Sequence, residues 1–110
     1  MEIKNKVDRY FQGEERYNCA QAVLKIMEER YPDAVKRIPE FQAFGGGRAP
    51  EGLCGALFSA LELADESVHA ELRKRFKESA GAENCREVRS MKKLSCRDCV
   101  EKASRILHEA

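Results

Sequence analysis

Apolar residues recur three and four positions apart along nearly the whole chain, and no stretch alternates apolar with polar long enough for a strand. Ile3, Val7, Tyr10 and Phe11 share one helical face, which should end near Gly13. Cys19, Ala22, Val23, Ile26 and Met27 mark a second helix, which Pro32 should stop after Tyr31. From Asp33 to Phe44 the pattern loosens. Pro39 forbids one continuous helix there, and Val35, Ile38, Phe41 and Phe44 are expected to pack inward. Gly45-Gly46-Gly47 is the sharpest break in the sequence. Beyond it, Pro50 suits a first helical turn, and Leu53 to Ala64 is apolar on nearly every side, as a central helix would be. Val68, Leu72 and Phe76 lie on a charged helix whose wet face carries Arg73, Lys74, Arg75 and Lys77 and whose natural stop is Gly81. A short helix from Cys85 towards Lys92 and a last one from Cys96 towards His108 complete the series. The pattern predicts an all-α fold: a small bundle of about five to six helices, with residues 1–110 as one domain.

Charge removes several function classes. With 20 Lys and Arg against 19 Asp and Glu, no basic excess exists to displace counterions, so nucleic acid is not an expected partner. The longest apolar run, Leu53 to Leu61, is interrupted by Ser59 and falls far short of the roughly 20 residues of a membrane helix. The opening Met1-Glu2-Ile3-Lys4-Asn5-Lys6 lacks the apolar segment of a signal peptide, which predicts a cytoplasmic protein.

Composition adds one unusual feature, five cysteines in 110 residues. The odd number and the expected reducing compartment argue against a disulfide framework. Metal ligation, redox chemistry and plain burial remain. Asn18-Cys19-Ala20-Gln21, Asn84-Cys85-Arg86-Glu87 and Ser95-Cys96-Arg97-Asp98 share one context: a good N-cap residue, then Cys, then Gln, Glu or Asp at the capping-box distance. Each places a cysteine at the first position of a helix. Cys54, four residues after Pro50, should fall in the opening turns of its own helix. Unpaired N–H groups and partial positive charge at a helix start favour thiolate over thiol. Packing alone explains any single such cysteine, whereas a set converging from separate helix starts points to a site. Cys96-Arg97-Asp98-Cys99 puts two sulfurs on one helical face, able to form a disulfide or hold one metal. No second C-x-x-C accompanies it, and Val100 excludes the haem-attachment pattern.

Gly45-Gly46-Gly47-Arg48-Ala49-Pro50 fits neither a P-loop nor a dinucleotide fingerprint. It reads as a sharp turn whose exposed N–H groups could cradle the anionic sulfur of Cys54 or a bound anion, with Arg48 assisting. His69 and His108 have no spacing to any cysteine and read as surface residues. No Ser-His-Asp set and no carboxylate pair stands out.

These residues together resemble the C_GCAxxG_C_C family of redox-active proteins, named for its cysteine motif. The matching parts are Asn18 to Val23, Phe44 to Gly47 leading into Gly52-Leu53-Cys54-Gly55-Ala56-Leu57, then Cys85-Arg86-Glu87, and Cys96 to Val100 with Ala103. The resemblance implies a small bacterial or archaeal protein of redox or metal function, with relatives of the motif found in larger redox proteins, a multihaem cytochrome among them. It further implies that Cys19, Cys54, Cys85 and Cys96 are the four family cysteines, with Cys99 an addition. Two departures stand out. The chain reads Cys-Gly-Ala around Cys54 instead of Gly-Cys-Ala, and Phe58 or Ser59 replaces the second glycine. A bulkier side chain there is expected to narrow the space beside Cys54, against a large cofactor.

Two versions of a redox or metal function follow. In one, Cys96 and Cys99 exchange with the disulfide of a redox partner protein. In the other, Cys19, Cys54, Cys85 and Cys96 hold zinc or an iron–sulfur cluster, with Gly45, Gly46 and Gly47 helping to bind it. The alternative is a helical interaction module with buried structural cysteines. The apolar central helix also leaves room for a homodimer.

Overall fold

The computed structural model describes residues 2–110. Six α-helices run in the order α1 (Ile3–Tyr10), α2 (Cys19–Ile26), α3 (Gly55–Leu63), α4 (His69–Ala80), α5 (Cys85–Met91) and α6 (Cys96–Glu109). Short 3₁₀ segments at Pro32–Arg37, Glu40–Phe44, Pro50–Gly52 and Glu66–Val68 join them, and no strand occurs among the described residues. The fold is all-α.

Helix α3 is central because it has no polar face to keep wet. Gly55, Ala56, Leu57, Ser59, Ala60 and Leu61 are all buried, and the one hydroxyl among them is satisfied by donating to the Ala20 carbonyl at 2.7 Å. Small residues at this contact let α2 and α3 approach closely. Helices α2 and α6 flank α3, while α1 covers α2 and α6, and α4 covers α3 and α6. Val7, Val23, Leu57, Leu72, Phe76, Val100 and Leu107 fill the space between them. Ala20, Leu24, Ala34, Ile38 and Phe41 form a second apolar cluster under the irregular segment. There Phe41, Phe44 and Phe58 meet with ring centroids 4.9–5.6 Å apart. The far end of α6 is tied to the residues after α2, because the Arg30 guanidinium donates to the carbonyls of Leu107, His108 and Ala110.

Several sequence expectations change. Helix α2 ends at Ile26, well before Tyr31, because Glu28 and Arg30 bond back three residues and tighten the chain into a turn. Pro32 then keeps Tyr31 out of the helical region after that turn. Val35 faces solvent, since the 3₁₀ segment turns Ala34 and Ile38 inward instead. Pro50 opens a separate single turn. Positive φ at Glu51 (61°) and Gly52 (71°) then breaks the chain before α3 begins at Gly55. His69 is half-buried with Nε2 3.3 Å from the Ala64 carbonyl, and His108 is exposed. No helix among the described residues is long and apolar enough to cross a membrane.

Candidate functional site

Capping geometry aims the cysteines. The Asn18 side chain accepts from the Gln21 N–H at 2.8 Å and the Gln21 side chain accepts from the Asn18 N–H at 3.1 Å, so Cys19 is the first residue of α2. Ser95 and Asp98 repeat this at 3.1 and 3.4 Å and make Cys96 the first residue of α6. Asn84 accepts from the N–H groups of Arg86 (2.9 Å) and Glu87 (3.4 Å), but Glu87 makes no return bond, so α5 begins at Cys85 with a cap and no box. Here the backbone of Asn84 lies beside Leu53 in an isolated antiparallel bridge, and the Cys54 N–H donates to the Glu83 carbonyl at 2.8 Å. That pairing fixes Cys54 next to Cys85. Cys54 is the N-cap of α3, not a residue within its first turns.

The capping asparagines have a second role. Asn18 Nδ2 donates to the carbonyls of Gln42 (3.1 Å) and Phe41 (3.4 Å), and Asn84 Nδ2 donates to the Glu51 carbonyl at 3.3 Å. Each therefore ties its cysteine to the chain on either side of the glycine turn. Within that turn Gly46 and Gly47 take φ of 62° and 84°, values that disfavour a side chain. Asn18 packs so closely on Gly45 that a Cβ there would stand 2.6 Å from Nδ2.

All five cysteines line one cavity of about 30 Å³, together with Gly46, Val88, Arg89 and Leu94. All five are free thiols: Cys96 is exposed, Cys19 half-buried, and Cys54, Cys85 and Cys99 are buried. Gly55 admits the Cys19 sulfur, since a Cβ on Gly55 would stand 2.6 Å from Cys19 Sγ. Gly47 lies against Cys85, where a Cβ would be 3.8 Å from its sulfur. Gly45 and Arg48 do not line the cavity; Arg48 bonds the carbonyls of Gly45 and Gln42. Phe58 and Ser59 also stay out of it, because Phe58 packs among the phenylalanines and Ser59 bonds α2. The expected narrowing beside Cys54 by these two residues does not occur.

Electrostatics separates four of the thiols. The neighbouring Cys99 thiol favours the anion of Cys54, and this outweighs burial to bring Cys54 down to about 7. The Cys54 side chain makes no close capping bond, so the N–H groups of Leu57 and Ala56 act on it as aligned dipoles, with the Arg89 charge adding to them. The same Cys54 sulfur, then burial, holds Cys99 far above its ordinary value. Burial pushes Cys19 up, then the Cys54 charge, with the nearby Gly46 N–H dipole opposing them. Burial also raises Cys85, with Arg89 opposing it. A helix start thus fails to make thiolates of Cys19 and Cys85, where desolvation wins. Arg89 is the residue that sequence reasoning missed. Its guanidinium lines the cavity with Cys85 and Cys96, and those sulfurs push it further above its ordinary value. Its position four residues after Cys85, on the same helical face, was the available signal.

The donor set is the soft one that zinc and iron–sulfur clusters prefer. Among the described residues, however, no three His, Cys, Asp or Glu side chains are gathered closely enough to hold a metal ion as they stand. No curated protein and no solved structure matches the chain. The sequence model of one family matches residues 17–110, a span that holds all five cysteines, the glycine turn and the three caps that aim them. The chain belongs to that family, C_GCAxxG_C_C, described as "Putative redox-active protein".

Proposed function

We propose that the cavity is a thiol–disulfide exchange site in which Cys96 is the attacking thiol and Cys99 resolves. The observation that carries this reading is the convergence of five free thiols on one cavity, with Cys96 the exposed one and Arg89 lining the same cavity. Cys96 attacks a disulfide of a partner protein. A Cys96–partner bond forms, the partner's disulfide breaks, and its first sulfur leaves as thiolate and takes a proton from solvent. Cys99, one turn along the same face, attacks the Cys96 sulfur and gives its proton to the second partner sulfur as that sulfur leaves. The second partner thiol departs and a Cys96–Cys99 disulfide remains. Two thiols have lost two electrons and two protons to the partner's disulfide.

Reaction of the reduced protein with a mixed-disulfide reagent tests this by intact mass. Cys99→Ser should trap a stable adduct on Cys96, whereas the parent should lose the adduct and gain a Cys96–Cys99 disulfide. An adduct that persists in the parent, or never forms, sinks the exchange reading.

A metal–thiolate centre is the second reading, because Cys19, Cys54, Cys85 and Cys96 share the cavity wall. Ligation with zinc–sulfur bonds of about 2.3 Å would draw these residues inward. Anaerobically purified protein should then carry stoichiometric metal that falls in Cys54→Ser and is unchanged in Cys99→Ser; metal-free parent protein would count against it.

A further inference from the structure

Size sets what can travel into this cavity. A volume of about 30 Å³ accommodates one or two water-sized groups. Cys54 and Cys99 are only 5% and 2% exposed, so the bulk of a protein or peptide disulfide reaches Cys96 and stops there. One atom attached to the Cys96 sulfur fits inside. The wall it would meet consists of thiols and of the apolar Val88 and Leu94, with Arg89 as the one cation.

Resting on Cys96 as the attacking thiol, we propose that the site also accepts a single sulfane sulfur from a small persulfide anion and reduces it to sulfide inside the cavity. In the first step Cys96 thiolate attacks the terminal sulfur of the donor. A Cys96 S–S bond forms, the donor's S–S bond breaks, and the donor departs as its thiolate with no net oxidation. In the second step the Cys99 sulfur attacks Cys96 Sγ. The Cys96–Cys99 disulfide forms, the terminal sulfur leaves as hydrosulfide carrying the Cys99 proton, and two thiols have supplied its two electrons. An external dithiol resets the site by reducing that disulfide. Arg89 favours this substrate because a persulfide is anionic at neutral pH, and a guanidinium attracts an anion to the mouth of a small apolar cavity more than an uncharged disulfide. Burial of the passenger sulfur also keeps it from other thiols until Cys99 removes it.

The test uses reduced, anaerobic full-length protein with glutathione persulfide, and with the uncharged bis(2-hydroxyethyl) disulfide as comparator. The parent should release one sulfide per chain and end as the Cys96–Cys99 disulfide. Cys99→Ser should instead retain the mass of one extra sulfur atom, and Cys96→Ser should neither gain sulfur nor release sulfide. Arg89→Gln should lower the ratio of the persulfide rate to the disulfide rate by roughly tenfold, the effect of one charge-assisted hydrogen bond. No sulfur gain and no sulfide, with the comparator still reduced, overturns this proposal and leaves disulfide exchange standing. Failure of both substrates overturns both. An unchanged ratio in Arg89→Gln overturns the role given to that charge.

Discussion

Gly55 is where the close fit of the site can be measured. Gly55 opens α3, where alanine gains less over glycine than the roughly 1 kcal/mol of a helix interior. Here the added Cβ would lie 2.6 Å from Cys19 Sγ, 2.9 Å from the Phe44 carbonyl oxygen and 3.4 Å from Ala20 Cβ. The first two are closer than carbon packs against sulfur or oxygen, and the Phe44 oxygen belongs to backbone that cannot rotate away. Overpacking of this kind costs about 1–3 kcal/mol, more than the propensity gain. Gly55→Ala should therefore lower stability by about 1–2 kcal/mol and the melting temperature by roughly 5–10 °C for a chain of this size. Denaturant titration under reducing conditions gives the first number and thermal melting the second. A Cys19→Ala background removes the sulfur clash and keeps the Phe44 one, so the double variant should recover part of the loss and not all of it. If Gly55→Ala is as stable as its parent, or Cys19→Ala changes nothing in its cost, then the α2–α3 contact is looser than described and Cys19 is not wedged against Gly55.

Three further outcomes follow from the same geometry. Cys54 sits below its unfolded value of 9.0 at about 7, so the unfolded chain binds the extra proton between those values and stability should rise across pH 7–9, by at most about 3 kcal/mol. Above pH 9 the raised Cys19, Cys85 and Cys99 reverse the slope, because the unfolded thiols lose protons that the folded ones keep. Denaturation measured from pH 6 to 10 checks both limbs, and Cys54→Ser should remove the rising one. Alkylation of native protein, followed by peptide mapping, should modify Cys96 first and Cys99 last; a buried thiol that reacts before Cys96 refutes the order. Asn84→Ala should cost about 1 kcal/mol through the lost cap, and Asn84→Ser should restore most of that but not the bond to the Glu51 carbonyl.

Local rules read from the chain carried a long way. N-cap residues at Asn18, Asn84 and Ser95 are enough to place three cysteines at helix starts, because capping depends only on neighbours a few positions apart. The apolar span around Leu57 likewise announces a central helix. What the sequence hid is non-local. The bridge between Leu53 and Asn84 joins segments far apart in the chain and decides that Cys54 caps α3 beside Cys85. Arg89 looks like one more surface cation until α5 is seen to lie along the cavity. Phe58 stands where a glycine would leave room, yet it turns towards Phe41 and Phe44, a direction fixed by packing and invisible to spacing. The balance of burial against the helix dipole at Cys19 and Cys85 also needed the fold, since a capping sequence says nothing about how much water a sulfur keeps.

That balance limits the chemistry. Cys54 is the thiol brought down towards neutrality, and negative charge on it is among the causes that raise Cys19, Cys85 and Cys99. Near pH 7 the buried wall therefore tolerates one negative charge, and one guanidinium, Arg89, stands ready to balance it. Exchange fits this arrangement because no second buried thiol has to stay ionised: the Cys99 proton leaves with the departing sulfur and the charge on the wall is unchanged. Ligation by Cys19, Cys54, Cys85 and Cys96 does not, since Cys19 and Cys85 would have to ionise beside an already charged Cys54. A divalent cation can supply the missing positive charge, so metal uptake would be steeply dependent on pH, while a two-thiol exchange that hands its proton to the departing sulfur would vary far less. The pH slope of each reaction thus reports how many thiols of the five lose their protons together.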